Sequence, residues 1–323
     1  MRAVIASCRL IVVIATLAQT APAGAQVQAV RTPWGAPDLQ GVWNVASGTP
    51  LERPAAFAGK EFFTDEELAR VAKQAIESAN ADRRDAGAAQ ADLRREYNDF
   101  WFDKRETFLT TRTSLIVDPA DGKLPPLTSA AAKQAPAVPD DLRKSDGPED
   151  RGLGERCLVQ PATGPPMLPL PNAFVEQLLG HKFQFQIVQS PDYVVIVWES
   201  IQQTRIIPLD GRPHRPPNIR LWLGDSRGRW EGSTLVVDTA NFSEKRIFLG
   251  LSAEHLHVVE RFTRRDNNTL EYRFTVDDPT RWTMPWTAVV PVGKTEGWLY
   301  EFACHEGNYG LRNILSVARA EEK

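Results

Sequence analysis

The chain has 323 residues, of which 42% are hydrophobic and 24% charged, as is ordinary for a soluble globular protein with a sizeable core. Its formal net charge is −3, which argues against a nucleic-acid-binding surface, because such a surface needs clustered basic residues. The sequence contains no glycine-rich phosphate loop and no dinucleotide fingerprint. Nucleotide and nicotinamide chemistry are therefore not expected, and no cofactor is predicted.

The first 25 residues have the organisation of a cleavable signal peptide. Arg2 and Arg9 give a positive start, and residues 10–17 form an apolar run too short to span a bilayer. Ala23 and Ala25 occupy the small-residue positions that signal peptidase recognises. We expect a periplasmic or secreted protein, cleaved after Ala25, with no membrane span in the mature chain.

The mature chain would keep two cysteines, Cys157 and Cys304. An oxidising periplasm favours a disulfide between them. Two separate buried thiols would also fit, since free cysteine behaves as a small hydrophobe. The residues leave both possibilities open, and we predict the bridge.

The part of the chain before the main strands is expected to be helical and loop-rich over residues 51–180. Thr64 and Glu67 have the spacing of a capping box, which predicts a helix from Asp65 to Ser78. A short strand is expected over Arg112–Asp118.

From Phe183 onward, short apolar or alternating segments are separated by turns, a pattern typical of an antiparallel meander. About nine such strands with no helical pattern between them favour a closed barrel or a sandwich, because closure removes exposed edges. The expected strands cover residues 183–187, 193–198, 203–207, 220–223, 230–238, 255–262, 270–276, 282–290 and 298–302, with a turn at 224–228 and a C-terminal helix over 312–320.

Gly41 and Trp43, on the first predicted strand, resemble the Gly-x-Trp opening of lipocalin-like barrels. The resemblance implies that the tryptophan closes one end of the barrel. The expected fold is therefore mainly β: an antiparallel, lipocalin-like (calycin-type) β-barrel with the helical, irregular insertion near its N-terminus. Residues 26–323 would form a single domain, and the barrel could hold one small ligand.

A set of motifs along the chain resembles a large family of exported bacterial proteins. The resemblance covers nearly the whole mature chain and implies export and a barrel, but no particular reaction. One departure is the segment Phe174–Phe183, which contains His181 where the family has a Tyr-Asn-Asn-rich run. If that run lines the pocket, substrate preference here would differ. The motifs are Pro37–Trp43, Arg112–Pro119, Ile207–His214, Gly224–Gly232, Val259–Phe262 and Ala303–Tyr309.

The first candidate catalytic group is the turn that carries Asp210, Arg212 and His214. The imidazole can act as acid or base, the guanidinium can hold an anionic oxygen, and the carboxylate can orient the imidazole. We expect His214 to face the barrel cavity. The alternative is a turn held by its own Asp–Arg pair.

A second candidate group follows the last predicted strand. His305, Glu306 and Tyr309 would bring base, acid and hydroxyl to the barrel end. The alternative is a plug that only closes the barrel.

On one face of the predicted strand 255–262 lie His255, His257 and Arg261. The two histidines are the metal candidates, but a third ligand is needed and no spacing enforces one, so no metal is predicted. Glu260 lies on the opposite, apolar face. It is either a catalytic acid or the partner of a cation such as Arg205, and we favour the ion pair.

Residues expected to contact substrate are Trp222, Asp225, Arg227, His257, Arg261 and Trp286. The spacing Gly224-x-Ser226-x-Gly228 matches a nucleophile elbow, but it lies between two strands instead of at a strand-to-helix turn. A serine hydrolase is therefore disfavoured.

Three functions are compatible with these features. The favoured one is a periplasmic, cofactor-independent enzyme (lyase, isomerase or hydrolase) acting on a small aromatic or apolar molecule in a barrel cavity. The second is a lipocalin-like binding or carrier protein without turnover. The third is a structural envelope protein, which a filled barrel interior would favour. The oligomeric state is left open.

Overall fold

The computed structural model describes residues 30–45, 49–78, 110–134, 145–158, 184–199, 203–249 and 251–322. The expected signal peptide and its cleavage site lie outside the described residues, as does His181.

Within these ranges the chain forms twelve strands and two α-helices. No described helix combines the length and the apolar character that crossing a bilayer requires. The strands are β1 Gly41–Asn44, β2 Ile116–Asp118, β3 Gln184–Gln189, β4 Tyr193–Trp198, β5 Thr204–Pro208, β6 Asp225–Glu231, β7 Thr234–Ala240, β8 Ile247–Phe248, β9 Leu251–Ser252, β10 His257–Arg264, β11 Thr269–Asp277 and β12 Trp286–Lys294, and the helices are α1 Asp65–Ser78 and α2 Tyr309–Glu321.

The main sheet is antiparallel and curls into a nearly closed barrel. Nine strands follow one another in the hydrogen-bonded order β5-β4-β3-β1-β12-β11-β10-β7-β6, and β2 pairs with β12. The end strands β5 and β6 meet at a seam, where Arg205 donates to the hydroxyl of Ser226 at 3.2 Å. The mainly β, antiparallel barrel predicted from the sequence is confirmed, and its likeness to lipocalins stays a prediction.

Aromatic side chains fill the interior of the barrel. Along β11 every second residue from Leu270 to Val276 is fully buried, because successive side chains of a strand point to opposite faces. The rings of Phe262 and Tyr272 stack at 4.8 Å, and Trp286 packs edge-on against Phe274 at 5.7 Å. Trp286 is fully buried in this core, and its expected contact with substrate stays a prediction.

A buried ion pair crosses the interior. Arg205 of β5 and Glu260 of β10 approach to 2.6 Å, and their side chains are 2% and 0% exposed. The hydroxyl of Tyr272 donates to the other oxygen of Glu260 at 2.9 Å. The predicted Arg205–Glu260 pair is confirmed, and it leaves Glu260 a structural role.

Trp43 of β1 lies in the buried core of the barrel. Its indole is fully buried and donates to the Leu39 carbonyl at 3.0 Å. The Arg264 guanidinium lies 5.8 Å from the ring centroid and also donates to the Asp38 carbonyl at 2.9 Å. The expectation that this tryptophan closes a barrel end stays a prediction.

Two predicted strands are absent, the predicted strand 230–238 contains the observed hairpin turn, and the turn predicted at 224–228 is misplaced. The predicted turn at 224–228 lies mostly within β6, and the hairpin instead turns at Gly232–Ser233. Gly232 has φ +62°, which suits the first position of a two-residue hairpin turn. Residues 220–223 form no strand, since Leu221 makes only an isolated bridge with Phe242. Residues 298–302 form none either, and Trp298 is 79% exposed.

Both helices begin with a side-chain cap. At α1, the Glu67 amide donates to Thr64 Oγ1 at 3.3 Å and the Thr64 amide donates to Glu67 Oε2 at 2.9 Å, which confirms the capping box. At α2, the Leu311 amide donates to the Asn308 side chain at 3.3 Å.

A disulfide joins Cys157 and Cys304, whose Cα atoms are 5.7 Å apart, so the predicted bridge is confirmed. Beside it, the Asn308 side chain donates to the Glu155 carbonyl at 2.7 Å. Further along α2, Arg319 donates to the Ser145 carbonyl at 2.8 Å. The C-terminal helix is thereby held against residues 145–158.

Candidate functional site

Two histidines and two aspartates meet on the outer face of β6, β7 and β10. Asp238 Oδ1 lies 2.8 Å from His214 Nε2 and 3.0 Å from His257 Nε2. Asp225 Oδ2 lies 3.1 Å from His214 Nδ1. These four residues are called the histidine–aspartate cluster below.

Strand alternation puts the cluster outside the barrel. Val237 and Thr239, the neighbours of Asp238 in β7, are fully buried towards the core, so the carboxylate points the other way. His257 begins β10 and is half-exposed. His214 bonds to Asp238 on this outer face, so the expectation that it faces the barrel cavity is wrong.

The segment that carries His214 is held in place by hydrogen bonds to residues of β6 and to the residue after β7. The Arg215 amide donates to Asp225 at 2.8 Å, and Arg227 donates to the Pro213 carbonyl at 3.0 Å. The side chain of Asn241 donates to the Arg215 carbonyl at 2.9 Å. These bonds hold the imidazole in place before any ligand arrives, as a functional site requires.

Gly224 sets the position of Asp225 under this segment. It has φ +71°, and a Cβ there would lie 2.6 Å from the Phe242 ring and 2.9 Å from the Ala240 carbonyl oxygen. Only glycine tolerates both the left-handed backbone and the close approach. Asp225 follows it and is 4% exposed although it lies on the outer face, because the segment carrying His214 covers it.

Asp210 does not orient His214. It accepts from the backbone and side chain of Arg212, whose donation lowers the pKa of Asp210. Arg212 itself is 57% exposed. The turn is thus held by its own Asp–Arg pair, and Asp225 and Asp238 orient the imidazole instead.

The guanidinium of Arg227 is occupied by the protein. It pairs with Asp225 at 3.0 Å, and its other nitrogens donate to the carbonyls of Ser226 at 2.9 Å and Pro213 at 3.0 Å. Arg227 therefore fastens the segment to β6 and is not placed to hold a substrate.

Two other expected substrate contacts lie apart from the cluster. Arg261 pairs with Glu231, which also accepts from Arg229 at 2.7 Å. Trp222 is half-buried, with the Arg246 guanidinium 5.4 Å from its ring centroid. No described hydrogen bond or ion pair joins either residue to the histidine–aspartate cluster.

Electrostatics within the cluster link Asp238 to His257. Hydrogen bonds from His257 and then from His214 lower the pKa of Asp238 to about 2. The bond to Asp238 raises the pKa of His257, partial burial opposes this, and the charge of Asp277 adds to the rise. Among the described residues, none forms a hydrogen bond with Nδ1 of His257, so that nitrogen is available to a ligand.

The second candidate catalytic group is exposed and separate. His305 and Glu306 are exposed, and Tyr309 is 68% exposed at the start of α2. In the described part of the chain these residues form no hydrogen bond with the histidine–aspartate cluster. The structure therefore does not combine them with His214.

The metal candidates do not form a ligand set. His255 is 56% exposed and lies 3.9 Å from Glu254, whereas His257 bonds to Asp238. Within the ranges that the structure describes, no group of three or more His, Cys, Asp or Glu side chains is arranged to hold a metal ion.

Asp238 is the cluster member that sequence reasoning missed. The available signal was a lone carboxylate in the apolar run Thr234–Ala240. Recognising it required the register that pairs Asp238 with Arg227 across the β6–β7 hairpin. Because residues 224–228 were predicted as a turn, the pairing of Arg227 with Asp238 was not expected.

Comparison of the sequence with protein-family models and with curated proteins gives no match. The site is therefore interpreted from its own geometry.

Proposed function

We propose that this protein is an exported, cofactor-independent enzyme that performs acid–base chemistry on a small aromatic or apolar molecule. His257 would exchange the proton and Asp238 would orient its ring. The observation that carries the proposal is the 3.0 Å contact between Asp238 and Nε2 of His257, which leaves Nδ1 facing no described partner. A carboxylate-oriented imidazole with one available nitrogen has the form of a general acid–base group.

The proposed reaction takes place at the outer face of the barrel. The interior rings of Trp43, Phe185 and Trp286 are fully buried, which favours an external site over a cavity site. Because Asp238 raises the pKa of His257, the ring keeps its proton to a higher pH than a free histidine. In elimination and isomerisation the neutral form of such a ring removes a proton and the protonated form returns it.

The test is proton exchange in deuterated water. Purified mature protein is incubated with a panel of aryl ketones and aromatic β-hydroxy ketones, and proton NMR follows deuterium incorporation next to the carbonyl and loss of water. We expect catalysed exchange or elimination for at least one compound. His257→Gln and Asp238→Asn should each lower the rate about 10²-fold or more, the size expected for loss of general acid–base help.

His255→Gln is the matched control, because His255 lies two residues away and, among the described residues, forms an ion pair only with Glu254. Its rate should equal that of the unchanged protein. Equal rates in the His257→Gln and unchanged proteins, or no exchange with any compound, would reject the proposal.

A structural role in the envelope is the second candidate, and the filled interior favours it. Trp43, Tyr272 and Phe274 have no exposed surface, and Glu260 is neutralised by Arg205. This candidate predicts that a deletion strain becomes sensitive to detergent and is rescued equally by unchanged protein and by His257→Gln. The enzyme proposal predicts rescue by the unchanged protein only.

Export is part of the proposal. The Cys157–Cys304 disulfide supports it, since such bonds persist in oxidising compartments, and so does the motif resemblance to exported bacterial proteins. Intact mass of protein from the periplasmic fraction should correspond to a chain beginning at Gln26. A mature chain that still contains Arg9 would refute the cleavage site.

A further inference from the structure

The outer face of β10 and β11 carries three cross-strand pairs in succession. Alternate residues of both strands are buried in the core, so the residues between them face outward. The histidine of the proposed acid–base group lies at one end of this strip and two arginines lie at the other. The pairs are His257 with Asp277, Val259 with Thr275, and Arg261 with Arg273.

Arg273 is a cation for which the described residues provide no counter-charge. It is half-exposed, and in the described part of the chain it forms no hydrogen bond and no ion pair. Glu271, two residues away on the same face, is paired with Arg265 at 2.7 Å. On the other side, β12 places Val289 opposite Arg273. The guanidinium donors of Arg273 are therefore open to a ligand.

Positive charge exceeds negative charge around Arg273. Arg261 lies directly opposite it, and Arg229 continues the same row beyond Val236 of β7. One carboxylate, that of Glu231, pairs with both Arg229 and Arg261. Like charges directly opposite each other on neighbouring strands destabilise a sheet. The Arg261–Arg273 pair therefore lowers the stability of the barrel, and a bound anion would offset this loss.

The middle of the strip is suited to an aromatic ring. Val259 presents methyl groups there, and the Thr275 hydroxyl is occupied by that of Thr287 at 2.9 Å. His257 and Arg261 are four residues apart on one strand, which separates their Cα atoms by about 13 Å. A ring with a carboxylate at one end and a ketone at the other fits this separation, because the long arginine side chain can lean along the strand.

We propose that Arg273, together with Arg261, binds the carboxylate of an aromatic substrate whose other end reaches His257. A guanidinium holds a carboxylate through two parallel N–H bonds, which fixes its direction as well as its position. Both ends are accessible, since the side chains of His257 and Arg261 are 42% and 39% exposed. The anion site follows from the arginine row, whereas the place of the reacting end rests on the proposed function.

The experiment compares two probes of nearly equal size, 4-acetylbenzoate and 4-acetylbenzamide, of which only the first is charged. Binding to the full mature chain is measured by NMR of ¹⁵N-labelled arginine side chains, assigned with single Arg→Gln variants. We expect the benzoate to bind about tenfold more tightly than the amide or better, and to move the Nε–H signal of Arg273. Arg273→Gln should remove this preference.

Arg319→Gln is the matched control, because it removes the same charge from an exposed arginine of α2 that pairs with Glu322. The preference for the benzoate should persist in this variant. Arg319 also lines an open groove along α2, so loss of the preference in Arg319→Gln alone would place the anion in that groove and overturn the proposal. Equal binding of both probes to the unchanged protein, or a preference that survives in Arg273→Gln, would overturn it as well.

Stability provides a second readout. Arg273→Gln should melt at the same temperature as the unchanged protein or higher, because it removes the repulsion between Arg273 and Arg261. A lower melting temperature would show that Arg273 supports the barrel and would contradict a ligand-binding role.

The binding measurement needs no turnover, so the anion site and the proposed enzyme are tested separately. Preferred binding of 4-acetylbenzoate without deuterium exchange at its methyl group would support the anion site and count against the enzyme. Exchange at the same rate with both probes, unaltered in Arg273→Gln, would support the enzyme and reject the anion site.

Discussion

At the residue scale, Asp238 and His257 make stability depend on pH in opposite directions. The pKa of Asp238 is lowered from 3.8 to about 2, so its contribution is present above pH 3.8 and is lost as the pH falls towards 2. The pKa of His257 is raised above 6.5, so its contribution is complete below pH 6.5 and is lost as the pH rises through the higher folded value. The two windows overlap in mildly acidic solution.

We therefore expect the part of the unfolding free energy that comes from this pair to be largest between about pH 4 and 6.5. Asp238→Asn should flatten the profile on both sides, because it removes the acidic group and the charge that raises the pKa of His257. Urea unfolding at a series of pH values measures this, with His255→Gln as control. A profile that keeps its shape in Asp238→Asn would contradict the assignment.

The buried Arg205–Glu260 pair gives a second prediction at this scale. Glu260→Gln would leave a guanidinium that is 2% exposed without its charge partner, which typically destabilises a protein by about 3–5 kcal/mol. Replacing both residues, Arg205→Met with Glu260→Leu, should recover much of that loss. Urea unfolding free energies at neutral pH measure both effects.

The exposed pair Arg229–Glu231 is the control, with side chains 56% and 39% exposed. Glu231→Gln should cost much less unfolding free energy than Glu260→Gln, because solvent screens surface pairs. Equal costs for Glu260→Gln and Glu231→Gln would show that burial does not govern the Arg205–Glu260 interaction.

At the element scale, Gly224 and Gly232 differ in what requires glycine. Both have positive φ, +71° and +62°. A Cβ on Gly232 would meet no described atom within 4 Å, whereas one on Gly224 would meet Phe242, Thr239 and the Ala240 carbonyl. Gly232→Ala should therefore lower the unfolding free energy by about 1–2 kcal/mol, because only the left-handed backbone is strained. Gly224→Ala should cost a further 1–3 kcal/mol or so for overpacking.

Thermal unfolding of the two alanine variants isolates the packing cost, because the backbone cost is common to both. Gly224→Ala should also move the NMR signals of His214 and His257, since Asp225 follows Gly224 directly. Equal melting temperatures for the two variants would mean that the segment after β5 shifts to accommodate the added methyl group without loss of stability.

These two glycines also show which part of the fold could not be predicted from the sequence. Local signals were sufficient for β4, whose bounds were predicted, and for α1, because the capping box and the apolar run lie within a few residues. Gly224 and Gly232 both satisfy turn chemistry, so nothing local decides which one forms the hairpin. The choice depends on pairing of β7 with β10, which no local pattern encodes.

The candidate site was predicted in part for the same reason. His214, Asp225, Arg227 and His257 were each identified from the sequence, and the structure brings them together. Their side of the barrel and the central place of Asp238 depend on the register of three strands. Sequence alone indicated the chemistry of the groups but could not assign their partners.

At the scale of the whole molecule, the disulfide encloses most of the barrel. Cys157 and Cys304 are 147 residues apart, and all strands from β3 to β12 lie between them. A link that closes so long a loop restricts the unfolded chain far more than the folded one. Its main effect is therefore expected on unfolding and not on the shape of the barrel.

The last prediction follows from this difference between the two states. In the double variant Cys157→Ser with Cys304→Ser, the unfolding free energy should fall by about 4–5 kcal/mol, the chain-entropy contribution for a loop of this length. The dependence of that free energy on urea should steepen, because a chain without the link exposes more surface when it unfolds. The aromatic bands of the near-ultraviolet circular dichroism spectrum should stay unchanged, since the packed rings lie in the barrel. The opposite result would be loss of the aromatic signals with an unchanged dependence on urea. It would mean that the disulfide stabilises the protein by holding the folded barrel together and not by restricting the unfolded chain.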